Sequence, residues 1–334
     1  MLEVKLKTRT PLWTGDVNQS CLEVKETGIV GSLRWWYETL VRAYGGRACD
    51  PTNSSCDQKD HCDACELFGC TGWSRKFRIE VHSKLKPIQR LSMTRKKRRI
   101  GGQLRFLSRY VSGLCGELDI KIIPIRALQD KERRNLYKTL QLVHEYAALG
   151  AKTSQGNGVV SIEKLNGFEP VPATNNALKN GSNTINLPVL SDFFFSRVQL
   201  RFKNTVRDII NKQLFWGMER DTNIWTDLWI KHGFLPIAFH ARDAIRTIIQ
   251  NRERRHEVFG ERGKGSKVFV SHGYRINDLT VEARMFGYSL EKHEIDALRQ
   301  AFTMNLPNYV SRIPERPLEV HIQETEFKTG RQLL

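Results

Sequence analysis

Twice along its 334 residues the chain passes through the same series of hydrophobic periods, and that repetition limits its fold more than any other feature. Leu2, Val4 and Leu6 alternate as a strand. Ile29, Leu33, Trp36, Leu40 and Val41 then fall near helical spacing in GIVGSLRWWYETLVRAYGG, which the Gly45-Gly46 pair ends. Phe77, Ile79 and Val81 give a second strand, and Leu118, Ile120 and Ile122 a third. Leu136, Leu140, Val143 and Ala147 form the apolar stripe of a second helix that stops at Gly150, and Val159, Val160 and Ile162 close the set. The order restarts at Val198, Leu200 and Phe202 and runs through a helix in ARDAIRTIIQNR to a strand at Val268 and Val270. It finishes with a helix bearing Leu290, Ile295, Leu298 and Phe302 and a strand at Leu318, Val320 and Ile322. LRWWYETLVR followed by LFGCTGWSRKFRI is echoed by ARDAIRTIIQ followed by VFGERGKGSKVFV. These observations predict an internally duplicated βαββαβ unit in an α+β chain. The Asn- and Gly-rich stretch from Pro170 to Pro188 has linker composition, so the expected units are 1–169 and 191–334, joined by 170–190.

At 38.6 kDa, with 40% hydrophobic residues and no apolar run near the eighteen or so residues of a membrane span, the chain is expected to be a soluble two-domain protein. MLEVKLK alternates like a strand and lacks the apolar core of a signal peptide, which predicts a cytoplasmic protein without disulfides. Lysine and arginine total 53 against 36 acids, a balance of +17 that asks for a polyanion. No amphipathic helix of the interfacial type surrounds the longest basic run, so nucleic acid is favoured over membrane.

That run, Arg95-Lys96-Lys97-Arg98-Arg99, lies in a segment from Lys84 to Arg109 that holds ten basic side chains and no acid. Such density repels itself unless a polyanion neutralises it. The segment reads as a protruding hairpin or loop whose cations meet phosphates while Leu91, Met93 and Ile100 wedge near bases, or else as a solvated loop. Between Gly150 and Gly158, Lys152, Thr153 and Gln155 sit among glycines that let backbone approach a phosphate, or simply form a turn. Neither a Walker loop nor a dinucleotide fingerprint is present. Ser32 is placed to cap a helix that starts near Gly31-Ser32, with Arg34 and Arg42 on its sides. The adjacent Trp35 and Trp36 cannot share a helix face, so one belongs to the core and the other, taken as Trp35, is free to stack on a base or a neighbouring subunit. Trp13 is either a second stacking residue or a buried one. In the second half, Arg242, Arg246, Lys264 and Lys267 are the corresponding basic candidates.

Five of the seven cysteines lie between Cys49 and Cys70, and Cys62-x-x-Cys65 has the spacing of a zinc knuckle. Cys49 and Cys56 complete four thiolates, with His61 and Cys70 as substitutes, and ordinary buried thiols are the alternative. A closed four-ligand zinc site would be structural.

The segments TPLWTG, GIVGSLRWWYETLVR, CDACELFGCTGW, GAKTSQGNGVV and VFGERGKGSKVFVSHGYR together resemble the RAMP superfamily of CRISPR proteins, and within it the subunit-one family of type III-B (Cmr) effector complexes. The resemblance implies two tandem ferredoxin-like, RRM-like domains with an inserted basic hairpin and Cys-rich loop. It implies a non-catalytic subunit that holds the 3′ part of the CRISPR RNA and the incoming target RNA beside other Cmr subunits in antiviral defence. It also implies that the helix near Ser32 and the loop near Lys152 face RNA. A RAMP endoribonuclease is the alternative, with Asp16 of WTGDVN as its acid or His61 or His82 as the group of a CRISPR RNA processing enzyme. No basic partner for Asp16 and no catalytic set around either histidine is identifiable in the sequence.

Overall fold

The computed structural model describes all residues except 17, 19, 51–55, 101–102, 169–186, 219–221, 262 and 313–317, and for 94–100 and 103–108 it describes the backbone alone. In the first half β1 (Leu2–Thr8) leads into α1 (Glu26–Ala43), a short α2 (Asp63–Phe68) and β2 (Phe77–Ser83). The strands β3 (Leu91–Ile100) and β4 (Gln103–Val111) pair only with each other as a hairpin. Then come β5 (Glu117–Pro124), α3 (Asp130–Glu145) and β6 (Val160–Asn166). The main sheet has the antiparallel order β2-β5-β1-β6.

Local chemistry accounts for these elements. Leu2, Val4 and Leu6 all point to one face of β1 and are buried, as alternation requires. The stripe Ile29, Leu33, Trp36, Leu40 buries one side of α1. That helix ends in a Schellman motif: Gly45, at φ +72°, donates to the Arg42 carbonyl, and Gly46 donates to that of Val41. The linker region 170–190 lies largely outside the described residues.

The second half contains β7 (Phe193–Phe202), α4 (Ala238–Arg246), α5 (Arg252–Phe259), β8 (Val268–Val270), β9 (Gly273–Asn277), β10 (Thr280–Tyr288), α6 (Lys292–Met304) and β11 (Val320–Thr329). Its sheet runs from Phe234–Leu235 through β9, β10 and β7 to β11, with β8 also paired to β10. The helix expected through ARDAIRTIIQNR is broken: α4 stops at Arg246, and Asn251 caps a new helix by accepting the Arg254 amide.

The central strand β10 has no counterpart in the sequence reading, because it is buried on both faces. Val281, Ala283 and Met285 enter the second half's own core, whereas Phe286 enters the core of the first half. Phe193 and Phe195 of β7 join that first core too, against Trp36 and near Trp35. Arg284 of β10, only 6% exposed, crosses the seam and donates to the carbonyls of Val143 (3.2 Å), His144 (2.7 Å) and Ala147 (2.9 Å). It thereby caps the C-terminal end of α3 from the other half of the molecule.

Candidate nucleic-acid interface and cysteine cluster

The loop from Gly150 to Gly158 is wedged between the two halves. Lys152 adopts the left-handed conformation at φ +55°, and a single 3-10 turn follows at Thr153–Gln155. Three glycines in the loop have positive φ, yet their missing side chains serve packing within the protein. A Cβ on Gly150 would meet the Trp13 carbonyl at 2.5 Å, one on Gly156 the Ala238 methyl at 2.4 Å, and one on Gly158 the Leu149 carbonyl at 2.2 Å. The loop amides are used in the same way. Gly150 donates to Ser32 Oγ (2.9 Å), Ala151 to the Trp13 carbonyl (2.6 Å) and Gly158 to that of Pro11 (2.9 Å), while His272 donates to the Gly156 carbonyl (3.1 Å). Among the side chains the loop presents to the surrounding clefts are those of Lys152, Thr153 and Gln155.

Chief among these is Lys152, whose ammonium lies 3.0 Å from the centroid of the Trp13 ring. Burial, reinforced by the Arg90 charge, lowers the Lys152 amine below the ordinary lysine value. Trp13 itself is buried, packed with Cys21 and Leu114, so its ring is a floor under the lysine and not an open stacking surface. The pair forms a ridge between two clefts. One, of about 550 Å3, lies at the base of the hairpin and includes Leu22, Ile88, Arg90, Tyr110 and Gln155. Within it the Arg90 guanidinium stacks 3.6 Å above the Tyr110 ring. The other, of about 510 Å3, lies between the halves and includes Ser32, Trp35, Thr153, Phe269 and Tyr288. Sequence reasoning missed Arg90 and Tyr110 as a pair, and Phe269 and Tyr288 altogether, because tertiary structure alone brings them to the loop.

Several expected positions fall elsewhere. The helix begins at Glu26, with Lys25 at its N-cap and the Lys25 amide held by Thr14 Oγ1, so Ser32 lies inside α1 and caps nothing. Its hydroxyl instead receives the Gly150 amide. Arg34 turns away from the clefts, pairing with Glu38 (2.7 Å) and donating to the Gly69 carbonyl (2.9 Å) and to Cys65 Sγ (3.1 Å). Arg42 donates to the carbonyls of Ala48, Cys49 and Pro188. Arg42 spends its donors on backbone carbonyls, whereas Arg34 divides them among a carboxylate, a carbonyl and a sulfur. Arg242 likewise holds the carbonyls of Val268 and Phe259, Lys264 pairs with Glu261, and Lys267 pairs with Glu257. Arg246 ends α4, half-buried and engaged within the fold. Leu91 and Met93 anchor the hairpin in the second half's core, at 0% and 1% exposure, and are not base wedges. The side chains of Arg95, Lys96, Lys97, Arg98, Arg99 and Ile100 lie outside the described residues, but the backbone register from Leu91↔Val111 to Ile100↔Gln103 makes the basic segment a hairpin.

On the far side of α1, the sulfurs of Cys49, Cys56, Cys62 and Cys65 lie within 4.8 Å of one another, and Cys49 and Cys65 are 3.5 Å apart. Four thiolates around zinc at about 2.3 Å would stand about 3.8 Å apart, so the set fits a tetrahedral ion. Cys62 accepts the amides of Cys49 and Cys65, both at 3.4 Å. Burial, followed by the Cys49 contact, raises the Cys65 thiol far above its usual range, and a cation among the sulfurs would reverse that. The substitutes are occupied otherwise: His61 stacks on Trp73 at 4.6 Å and pairs with Glu66, and Cys70 donates to the Asp57 carbonyl.

Asp16 closes a turn, accepting the amides of Asn18 and Ser20 and the Ser20 hydroxyl. The Ser20 hydroxyl chiefly holds its carboxyl below the ordinary aspartate value. His82 is exposed on β2.

Antiparallel sheets flanked by helices, a lysine-capped ridge between two clefts, and a cysteine cluster define a mixed α/β protein. The RAMP superfamily model matches residues 5–161, most of the N-terminal half of the chain. No curated protein matches the chain. Among solved structures it is similar to Cmr1 from Pyrococcus furiosus in its apo form, at 12% identity over 97% of this chain and 98% of that one, with a TM-score of 0.43. It is also similar to a chain of the type III-B Cmr-beta complex bound to cognate target RNA, at 12% identity over 91% of this chain and 99% of that one, with a TM-score of 0.44. Among the described residues no helix is long and apolar enough to cross a membrane.

Proposed function

We propose that this chain is a non-catalytic RNA-binding subunit of a type III-B CRISPR effector complex in the cytoplasm, positioning the 3′ part of the CRISPR RNA and the target RNA beside other subunits. The observation that carries the reading is the Lys152–Trp13 ridge with a cleft on each side and Arg90 on Tyr110 beside it. A desolvated cation next to half-exposed aromatic rings suits a strand whose phosphates need charge and whose bases need π faces. The RAMP superfamily match over residues 5–161 and the motif resemblance over both halves support the effector assignment. Two ferredoxin-like units, 1–169 and 191–334 joined by 170–190, are consistent with the strand order, since β6-β1-β5-β2 and β11-β7-β10-β8 both follow the sequence 4-1-3-2. The non-catalytic part of the reading is supported by Asp16, whose oxygens are already committed to its own turn. The four cysteines are assigned to a structural zinc.

The test replaces Arg95, Lys96, Lys97, Arg98 and Arg99 with serine and measures RNA binding against salt, alone and in the reconstituted complex. The log–log slope should flatten by about 0.7 for each phosphate no longer neutralised, equally across sequences, and the RNA should be recovered uncut with or without divalent metal. Unchanged affinity and slope would defeat the RNA path, and cleavage by the isolated chain would support the nuclease instead.

A further inference from the structure

The cleft between the halves is shaped for something more specific than a phosphate backbone. One wall is a series of rings from the second half. Phe269 lies nearly parallel to Phe286 (4.9 Å, 18°) and to Tyr288 (6.5 Å, 25°). Trp35 of α1 lines the same cleft and adjoins Tyr288, its ring inclined by 59° at 6.2 Å. Phe269, Tyr288 and Trp35 are each only half-buried, although large apolar side chains at a seam between two cores are ordinarily covered. Their neighbours on α1 leave room: Gly31 faces open space, and Gly28 brings the helix against Thr14 without a side chain. The rim is polar, formed by Ser32, Thr153, Ser154 and Lys152. Lys152 borders this cleft and the one at the hairpin base, so a phosphate held there belongs to a strand that continues past the ridge.

We infer that this slot receives one unpaired nucleotide of the bound RNA, its base against Phe269 and Trp35 and its phosphate at Lys152. The inference rests on the RNA-binding reading proposed above and adds to it that the strand is single at this point, because a base inside the slot has left any duplex. Aromatic faces accept every base, so the slot selects for an unpaired state and not for sequence. The +17 charge and the lysine at the mouth favour a nucleotide over an apolar side chain from a neighbouring subunit.

The experiment uses the full chain and a single-stranded oligoribonucleotide carrying one 2-aminopurine, walked along the strand in separate syntheses, with the same strands annealed to a complement as the contrast. At one or more positions binding should quench the 2-aminopurine of the single strand, and the annealed probe should show no such quench. Phe269→Leu, which keeps apolar bulk and removes the ring, should abolish the quench and weaken binding roughly five- to 150-fold with an unchanged salt slope. Tyr288→Leu serves as a second variant should Phe269→Leu fail to fold, as judged by circular dichroism. Tight binding without quench at any position, or a quench that persists in both variants, overturns the slot and leaves the RNA reading standing. Loss of subunit assembly with RNA binding intact assigns the slot to a protein neighbour and overturns it too. Absence of any RNA binding by the chain defeats both readings.

Discussion

Helix α1 has two polar faces with opposite fates. Gly28, Gly31, Ser32 and Trp35, spaced i, i+3, i+4 and i+7, border the cleft between the halves, whereas Arg34, Glu38 and Arg42, spaced by four, face the cysteine cluster. The cleft face carries no charge of its own and keeps an aromatic half-exposed. The cysteine face carries three charges, and all are consumed inside the protein. Strong charge on a helix thus marked the side engaged within the protein, and the face with the small residues marked the one that borders an open cleft. An arginine with five donors is well suited to gathering stray carbonyls, and Arg42 gathers three of them.

The comparison breaks most visibly if the cysteine face is emptied. Chelation of bound zinc is expected to have the largest effect, because for structural sites the metal's binding energy, on the order of 10 kcal/mol, is folding energy. About one zinc per chain should be found by metal analysis, and its removal should expose residues 47–75 to proteolysis and to thiol reagents. Purified protein without metal and with all four thiols reactive would contradict the assignment. Next in size, Glu38→Ala leaves Arg34 and Arg42 without their shared carboxylate in a buried setting and should cost about 3–5 kcal/mol in denaturant unfolding. RNA affinity per folded molecule should stay the same. If affinity falls instead, the two faces are not independent. Smallest is Ser32→Ala, which removes the acceptor of the Gly150 amide and should cost about 1 kcal/mol while loosening the Lys152 loop. Its signature would be faster hydrogen exchange at Gly150.

Legibility in the sequence follows the range of the interactions. The clustering of the four cysteines was readable because Cys62 and Cys65 lie one helical turn apart and the other two are near in the chain. Strands with one buried face, such as β1, announced themselves through alternation. The strand β10 did not, since Glu282 and Arg284 stand where alternation would put solvent and are in fact buried, Glu282 beside Tyr274 and Gln199 and Arg284 against the other half. Ser32 misled for a local reason: a Gly-Ser pair looks like a helix start, and only the Thr14 contact shows that α1 begins earlier. Phe269 and Tyr288 gave no signal because their value lies in sharing a cleft with Trp35 across more than two hundred residues of chain.

The Arg284 cap on α3 also has a consequence for synthesis. The first half emerges from the ribosome with the last carbonyls of α3 and the rings of Trp35 and Trp36 uncovered. Arg284 lies about 140 residues beyond the end of α3, which at the pace of translation is a delay on the order of ten seconds. During that interval the nascent first half has an adhesive surface, so its neighbours on a crowded polysome, and the chaperones that shield such surfaces, become part of how this chain reaches its native form.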